Sequence, residues 1–237
     1  YTMITYEDKE KIKLLLDLNS SMLEAITYQA MLEDISRNNI LEDTIGILIT
    51  RPELEVGKDI LSSLNYYHHA SSKNVNFYLP GYGAYWHGTY PDGRVVTKIN
   101  GVDWSFSDSM FVQFVGELQA HSSWRYSGES ELLMLEYKNG VLRFEKVMRF
   151  YLENMLRDNL IHSTSSFFQQ LLTACGQDKS PGGLSDRLAQ AGAIQVTKNA
   201  LMDRLPNEIK GLLLRGKYLC VQDFSPKNTQ VSSSEGR

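Results

Sequence analysis

The chain has 237 residues, 42% of them apolar and 22% charged, with a formal net charge of −4. That balance describes a soluble globular chain, long enough for one substantial domain with an extension. It excludes a membrane span, since no run approaches the ~18 apolar residues a span needs, and it excludes nucleic-acid binding through bulk positive charge.

From Glu7 to Arg37 the apolar residues Ile12, Leu15, Leu16, Met22, Leu23, Ile26 and Ile35 recur at steps of three and four. This period predicts an N-terminal amphipathic helix, stopped by Asn38-Asn39. At Thr44 the period changes. Thr44 to Thr50 is short, continuously apolar and rich in β-branched residues, which suits a strand covered on both faces. Pro52 closes it. A helix from about Glu55 to Ser71 follows, with Val56, Ile60, Leu61, Leu64 and Tyr67 or His68 on one side, and then a strand from Asn74 to Leu79. Strand, helix and strand in about 36 residues is the size of a βαβ unit with two parallel strands.

Past Leu79 the pattern breaks. Residues 80–106 form an insertion rich in Gly and aromatic residues, with a turn at Pro91-Asp92-Gly93 and one arm of a hairpin from Arg94 to Ile99. A helix resumes near Ser107, where Met110, Phe111, Phe114, Val115 and Leu118 make an apolar stripe. Trp104, Phe106 and Trp124 bracket it and read as anchors against the sheet. Lys138-Asn139-Gly140 predicts a tight hairpin between strands Glu131–Tyr137 and Val141–Lys146.

The remainder reads as helical. Phe167, Phe168, Leu171, Leu172 and Cys175 share a face, and Ser180-Pro181-Gly182-Gly183 marks a boundary. The expected organisation is an α/β domain over 1–179, a small helical extension over 180–224 and a disordered tail over 225–237. The expected architecture is Rossmann-like in three layers, with a short, mostly parallel sheet, an antiparallel edge hairpin and the N-terminal helix packed on it. The order of elements alone is similar to that of small α/β nucleotide-processing folds.

In open α/β sheets, ligands bind beyond the carboxyl ends of the strands. Two such ends are visible: Thr50-Arg51-Pro52-Glu53 and Tyr78-Leu79-Pro80-Gly81-Tyr82-Gly83. Facing one crevice, they would supply a guanidinium, carboxylates, free backbone N–H groups and rings. A phosphate suits Arg51 and the following helix N-terminus. A base suits stacking on Tyr82, Tyr85 or Trp86, with Tyr78, Gly81 and Gly83 completing the wall. The competing reading has Arg51 paired with an acid, the glycines only turning the chain and the rings covering a core edge.

For chemistry, Glu53 and Glu55 are the carboxylates nearest that crevice, suited to glycosidic or phosphoester cleavage. His87 is the histidine placed to act as acid, base or ring contact. Glu129 and Glu131 precede a strand and would lie at the opposite end of a parallel sheet. His68 and His69 point about 100° apart on a helix and cannot chelate one metal. Cys175 and Cys220 are widely separated and sit in apolar segments, so neither a disulfide framework nor a zinc site is expected, and no metal site is assigned. Gly81-Tyr82-Gly83 does not open directly into a helix, so it is not the dinucleotide fingerprint, and neither the P-loop nor the nucleophile-elbow motif occurs.

The leading expectation is therefore a protein that binds, and in one form cleaves, a nucleotide or dinucleotide, with no cofactor identified. The alternative is a non-catalytic interaction or sensor module that grips a protein partner through the aromatic insertion. No membrane partner is expected, and the absence of a secretory signal pattern points to the cytoplasm. The start at Tyr1 rather than Met fits a trimmed or renumbered N-terminus.

Overall fold

The computed structural model describes residues 22–25, 27–37, 42–70, 76–84, 89–99, 101–164, 166–168 and 216–226. In chain order the elements are β1 (Met22–Ala25), α1 (Tyr28–Arg37), β2 (Glu42–Ile49), α2 (Glu55–Ala70), β3 (Asn76–Pro80), β4 (Tyr82–Ala84), β5 (Arg94–Ile99) and β6 (Val102–Phe106). Then come α3 (Asp108–His121), β7 (Glu131–Lys138), β8 (Val141–Tyr151), α4 (Leu152–Arg157) and β9 (Leu219–Gln222). One sheet has six strands in the order β1-β3-β2-β7-β8-β9, and a second has three in the order β4-β6-β5.

The expected βαβ unit is present. β2 runs parallel to β3, with Ile45 opposite Asn76 and Ile47 opposite Tyr78, and α2 connects them. The unbroken apolar run of β2 has its cause in two-sided cover, since Ile45, Ile47, Leu48 and Ile49 are all 0% exposed. Gly46 belongs to the same packing: a Cβ there would lie 2.3 Å from Cδ1 of Phe77, whose ring crosses β2 at that point.

The sheet is mixed, not mostly parallel. Only β1, β3 and β2 run parallel, whereas β2–β7, β7–β8 and β8–β9 are antiparallel. The reason is connectivity. β7 follows α3 through a short connection and starts beside the end of β2, where an antiparallel pairing needs no long crossover. Two further expectations give way. Met22 to Ala25, included in the helical period, forms an edge strand beside β3, and Tyr28–Arg37 is the described part of the expected helix, whose residues 7–21, with Ile12, Leu15 and Leu16, lie outside the described residues. So short an apolar run satisfies either period, and the open edge of β3 decides it. Residues 219–222, placed in a helical extension, are instead the edge strand β9 beside β8. Cys175, residues 180–215 of that extension and residues 227–237 lie outside the described residues, as do the side chains from 63 to 70.

Helix α3 takes the expected stripe inward: Met110, Phe111, Phe114, Val115 and Leu118 are all buried. Ser107 caps it, accepting from Met110 N at 3.2 Å. Asp92 adds a second cap, accepting from Ser109 N at 2.7 Å and from Ser107 Oγ at 2.8 Å. Glu117 ties α3 to α1 by accepting from Tyr28 N at 2.7 Å. At the hairpin, Asn139 and Gly140 both have positive φ, 51° and 83°, as a two-residue turn between twisted strands requires. β8 then continues to Tyr151, beyond the expected end at Lys146.

Candidate functional site

The site lies where β2 ends. Pro52 sets a turn from Arg51 to Leu54, closed by Leu54 N donating to Arg51 O at 3.2 Å. Gly57 makes the turn possible, because a Cβ there would stand 2.0 Å from the same carbonyl oxygen. Arg51 is thereby aimed at the first turn of α3, where Nη1 donates to Asp108 Oδ1. The small sheet brings Arg94, the first residue of β5, to the other oxygen, with Nη1 donating to Asp108 Oδ2. Arg94 Nη2 also donates to Glu53 Oε1. Each guanidinium rests on a ring: Arg51 Cζ lies 4.7 Å from the centroid of Phe111, and Arg94 Cζ lies 5.1 Å from that of Phe106.

This quartet of two cations and two carboxylates is open to water, with side-chain exposures of 32% for Arg51, 42% for Asp108 and Arg94, and 60% for Glu53. Hydrogen bonding from Arg94 holds the Asp108 carboxyl below its ordinary value, and the same bond raises Arg94. Pairs this exposed stabilise a fold by only about 0–1 kcal/mol each. They position groups more than they hold the protein together.

Beneath the quartet is a buried polar relay. Thr50 Oγ1 and Ser130 Oγ are 2.7 Å apart, and Ser130 Oγ donates to Glu153 Oε1 at 2.8 Å. The same Glu153 oxygen accepts from Val56 N at 3.2 Å, in the first turn of α2. The N-terminus of α2, expected to receive a ligand phosphate, is thus served by the chain's own carboxylate, which the helix dipole favours. Glu131 is 0% exposed. Its Oε1 accepts from Ser127 Oγ at 2.9 Å and Arg149 Nη2 at 3.0 Å, while Oε2 accepts from Trp124 Nε1 at 3.1 Å and from Arg149 Nε. So fully paired a carboxylate is part of the framework. Tyr126 leans edge-on against Phe111, and its buried hydroxyl has no hydrogen-bond partner among the described residues.

Arg51 and Glu53 both belong to the quartet, linked through Asp108 and Arg94. Glu55 is exposed in the first turn of α2, with Lys58 Nζ 3.6 Å away, and reads as a helix-terminus charge. Tyr78 and Tyr82 do not face the crevice. Tyr78 is 0% exposed and donates to Asp34 Oδ2 at 3.0 Å. Tyr82 is 1% exposed, packs on Phe106 at 4.7 Å and donates to Thr50 O at 3.2 Å. Burial pushes its phenol far above the ordinary value. Gly81, at φ +83°, turns the chain so tightly that a Cβ would come within 2.8 Å of Phe111 Cβ, and Gly83 pairs with Ser105 inside β4–β6. The Gly81 carbonyl is taken by Ser107 N at 2.9 Å. Tyr85, Trp86 and His87 lie outside the described residues.

Arg94, Asp108, Ser130 and Glu153 are the members that sequence reasoning missed. Arg94 heads a strand right after a turn, and Asp108 follows the cap residue Ser107, so both have a local signal of position but none of partnership. Ser130 and Glu153 carry no such signal, since both reach the site only through the antiparallel half of the sheet. Among the described residues, no cluster of three or more His, Cys, Asp or Glu is arranged to hold a metal ion.

No family model, curated protein or solved structure significantly matches this chain.

Proposed function

We propose that this chain binds a nucleotide at the carboxyl end of β2, with the ligand's phosphate held between Arg51 and Arg94. One observation carries the reading: two guanidiniums, one from the turn after β2 and one from β5, converge on the two oxygens of a single, solvent-open carboxylate. Few arrangements suit a phosphate better than two such forks backed by rings. The parallel pairing of β1, β3 and β2 supports a Rossmann-like reading of this half, in which the ligand would occupy the place that open α/β sheets reserve for it. Tyr85 and Trp86, directly after β4, are assigned the base, and Glu53, bound to Arg94, is the carboxylate that would serve cleavage of a glycosidic or phosphoester bond.

Thermal melting with a panel of nucleotides tests this. A ligand at 100 times its dissociation constant should stabilise the fold by about 2.7 kcal/mol. Arg51→Ala and Arg94→Ala should abolish the shift without unfolding the protein, and Trp86→Ala should cost about 1–3 kcal/mol of stacking. No shift with any nucleotide would overturn the reading in favour of an interaction module built on residues 80–106.

A further inference from the structure

Asp108 occupies the position that the proposed phosphate would take. Its two oxygens each receive one guanidinium, Oδ1 from Arg51 and Oδ2 from Arg94. Resting on that reading, we infer that Asp108 is a built-in competitor for the ligand, and that the site therefore selects a terminal phosphate monoester over a phosphodiester.

The two guanidiniums do not depend on Asp108 for their places. Phe111 lies under Arg51, Phe106 lies under Arg94, and Glu53 accepts a further bond from Arg94. Asp108, in turn, is not required where it stands. The N-terminus of α3 is already capped by Ser107 on Met110 N and by Asp92 on Ser109 N. At 42% side-chain exposure, its carboxylate has room to swing into water while the backbone of the helix stays put. A ligand can therefore displace the side chain without disturbing the fold.

Charge then decides which ligand succeeds. Two arginines face Asp108 and Glu53, so the quartet is neutral. Exchanging the single charge of Asp108 for the single charge of a phosphodiester gains nothing in net attraction. A monoester carries about −1.5 to −2 at neutral pH, with its second ionisation near pH 6. It brings the extra charge that exchange requires, together with a third oxygen to accept hydrogen bonds.

The experiment is calorimetric titration of adenosine 5′-monophosphate and of its 5′-methyl phosphodiester into wild type, Asp108→Asn and Arg51→Ala. Wild type should bind the monoester at least about tenfold more tightly than the diester, a difference of about 1.4 kcal/mol. Asp108→Asn should tighten the diester by about tenfold or more and shrink the discrimination, and Arg51→Ala should weaken both probes. A wild-type pH series provides a check that needs no variant at Asp108: monoester affinity should rise through about pH 6 while diester affinity stays level. Arg51-dependent binding that is equal for both probes, flat with pH and unchanged in Asp108→Asn would overturn the inference and leave the nucleotide reading standing. Failure of both probes to bind wild type and Asp108→Asn alike would overturn the two together.

Discussion

Ile49, the last residue of β2, stands opposite Glu131, the first residue of β7. Glu131 in turn stands opposite Tyr151, the last residue of β8. These two registers put the end of β2, the start of β7 and the end of β8 at one end of the sheet. Thr50, Ser130 and Glu153, separated by 80 and 23 positions in the chain, meet there through their side chains. The floor of the candidate site is a product of strand direction.

The Glu131–Arg149 pair should be a major stabilising contact only while both members are present. Removing one partner of a buried pair leaves an uncompensated charge and costs about 3–5 kcal/mol. Urea denaturation of Glu131→Ala and of Arg149→Met should each show a loss of that size. A double replacement by apolar residues should recover a large part of it, because the desolvation penalty disappears with both charges.

Two glycines in helices should respond with opposite signs. Gly116 in α3 has nothing within 4 Å of a Cβ, so Gly116→Ala should stabilise by about 0.5–1 kcal/mol through backbone entropy. Gly57 in α2 faces the Arg51 carbonyl, and a Cβ there would meet it at 2.0 Å. Gly57→Ala should destabilise and, by shifting the turn, also disturb the Arg51–Asp108 contact. Equal melting shifts for both variants would contradict the packing of that turn.

Asp92 should contribute to the acid limb of the stability curve. Hydrogen bonding, first from the Ser109 backbone N–H and then from Ser107, lowers its carboxyl from 3.8 to about 2. A depressed carboxyl contributes stability above its unfolded value and loses it as the pH falls through the folded one. The window is therefore from about 3.8 down to about 2. Asp92→Asn should flatten the pH dependence of unfolding across that window and leave its slope near neutrality unchanged.

Tyr126→Phe should be neutral or stabilising by about 1 kcal/mol, since it removes a buried hydroxyl that is denied a partner. A loss of more than about 1 kcal/mol in chemical denaturation would show that the hydroxyl is bonded in solution, with Arg51, whose charge acts on it, as the candidate partner.

Local elements were legible in the sequence because their causes are local. The β-branched run from Thr44, the stripe from Met110 to Leu118 and the pair Asn139-Gly140 each encode a period or a backbone conformation within a few residues. The parallel pairing of β2 and β3 follows from the length of the connection between them. Arg51 and Glu53 were legible for the same reason, as residues at the end of a strand. Strand direction beyond that unit had no local cause. Whether β7 runs with or against β2 depends on the end of β2 at which the chain returns after α3, and its return beside Ile49 moved Glu131 from the far end of the sheet to the near one. Tyr78 and Tyr82 show the same division. An aromatic residue at a strand end serves equally well as core or as ligand platform, and only the neighbours it meets decide. Here Asp34 and the Thr50 carbonyl take their hydroxyls and the core takes their rings. The partnership of Arg51 and Arg94 on Asp108 arises between two sheets and a helix, so only tertiary structure assembles it.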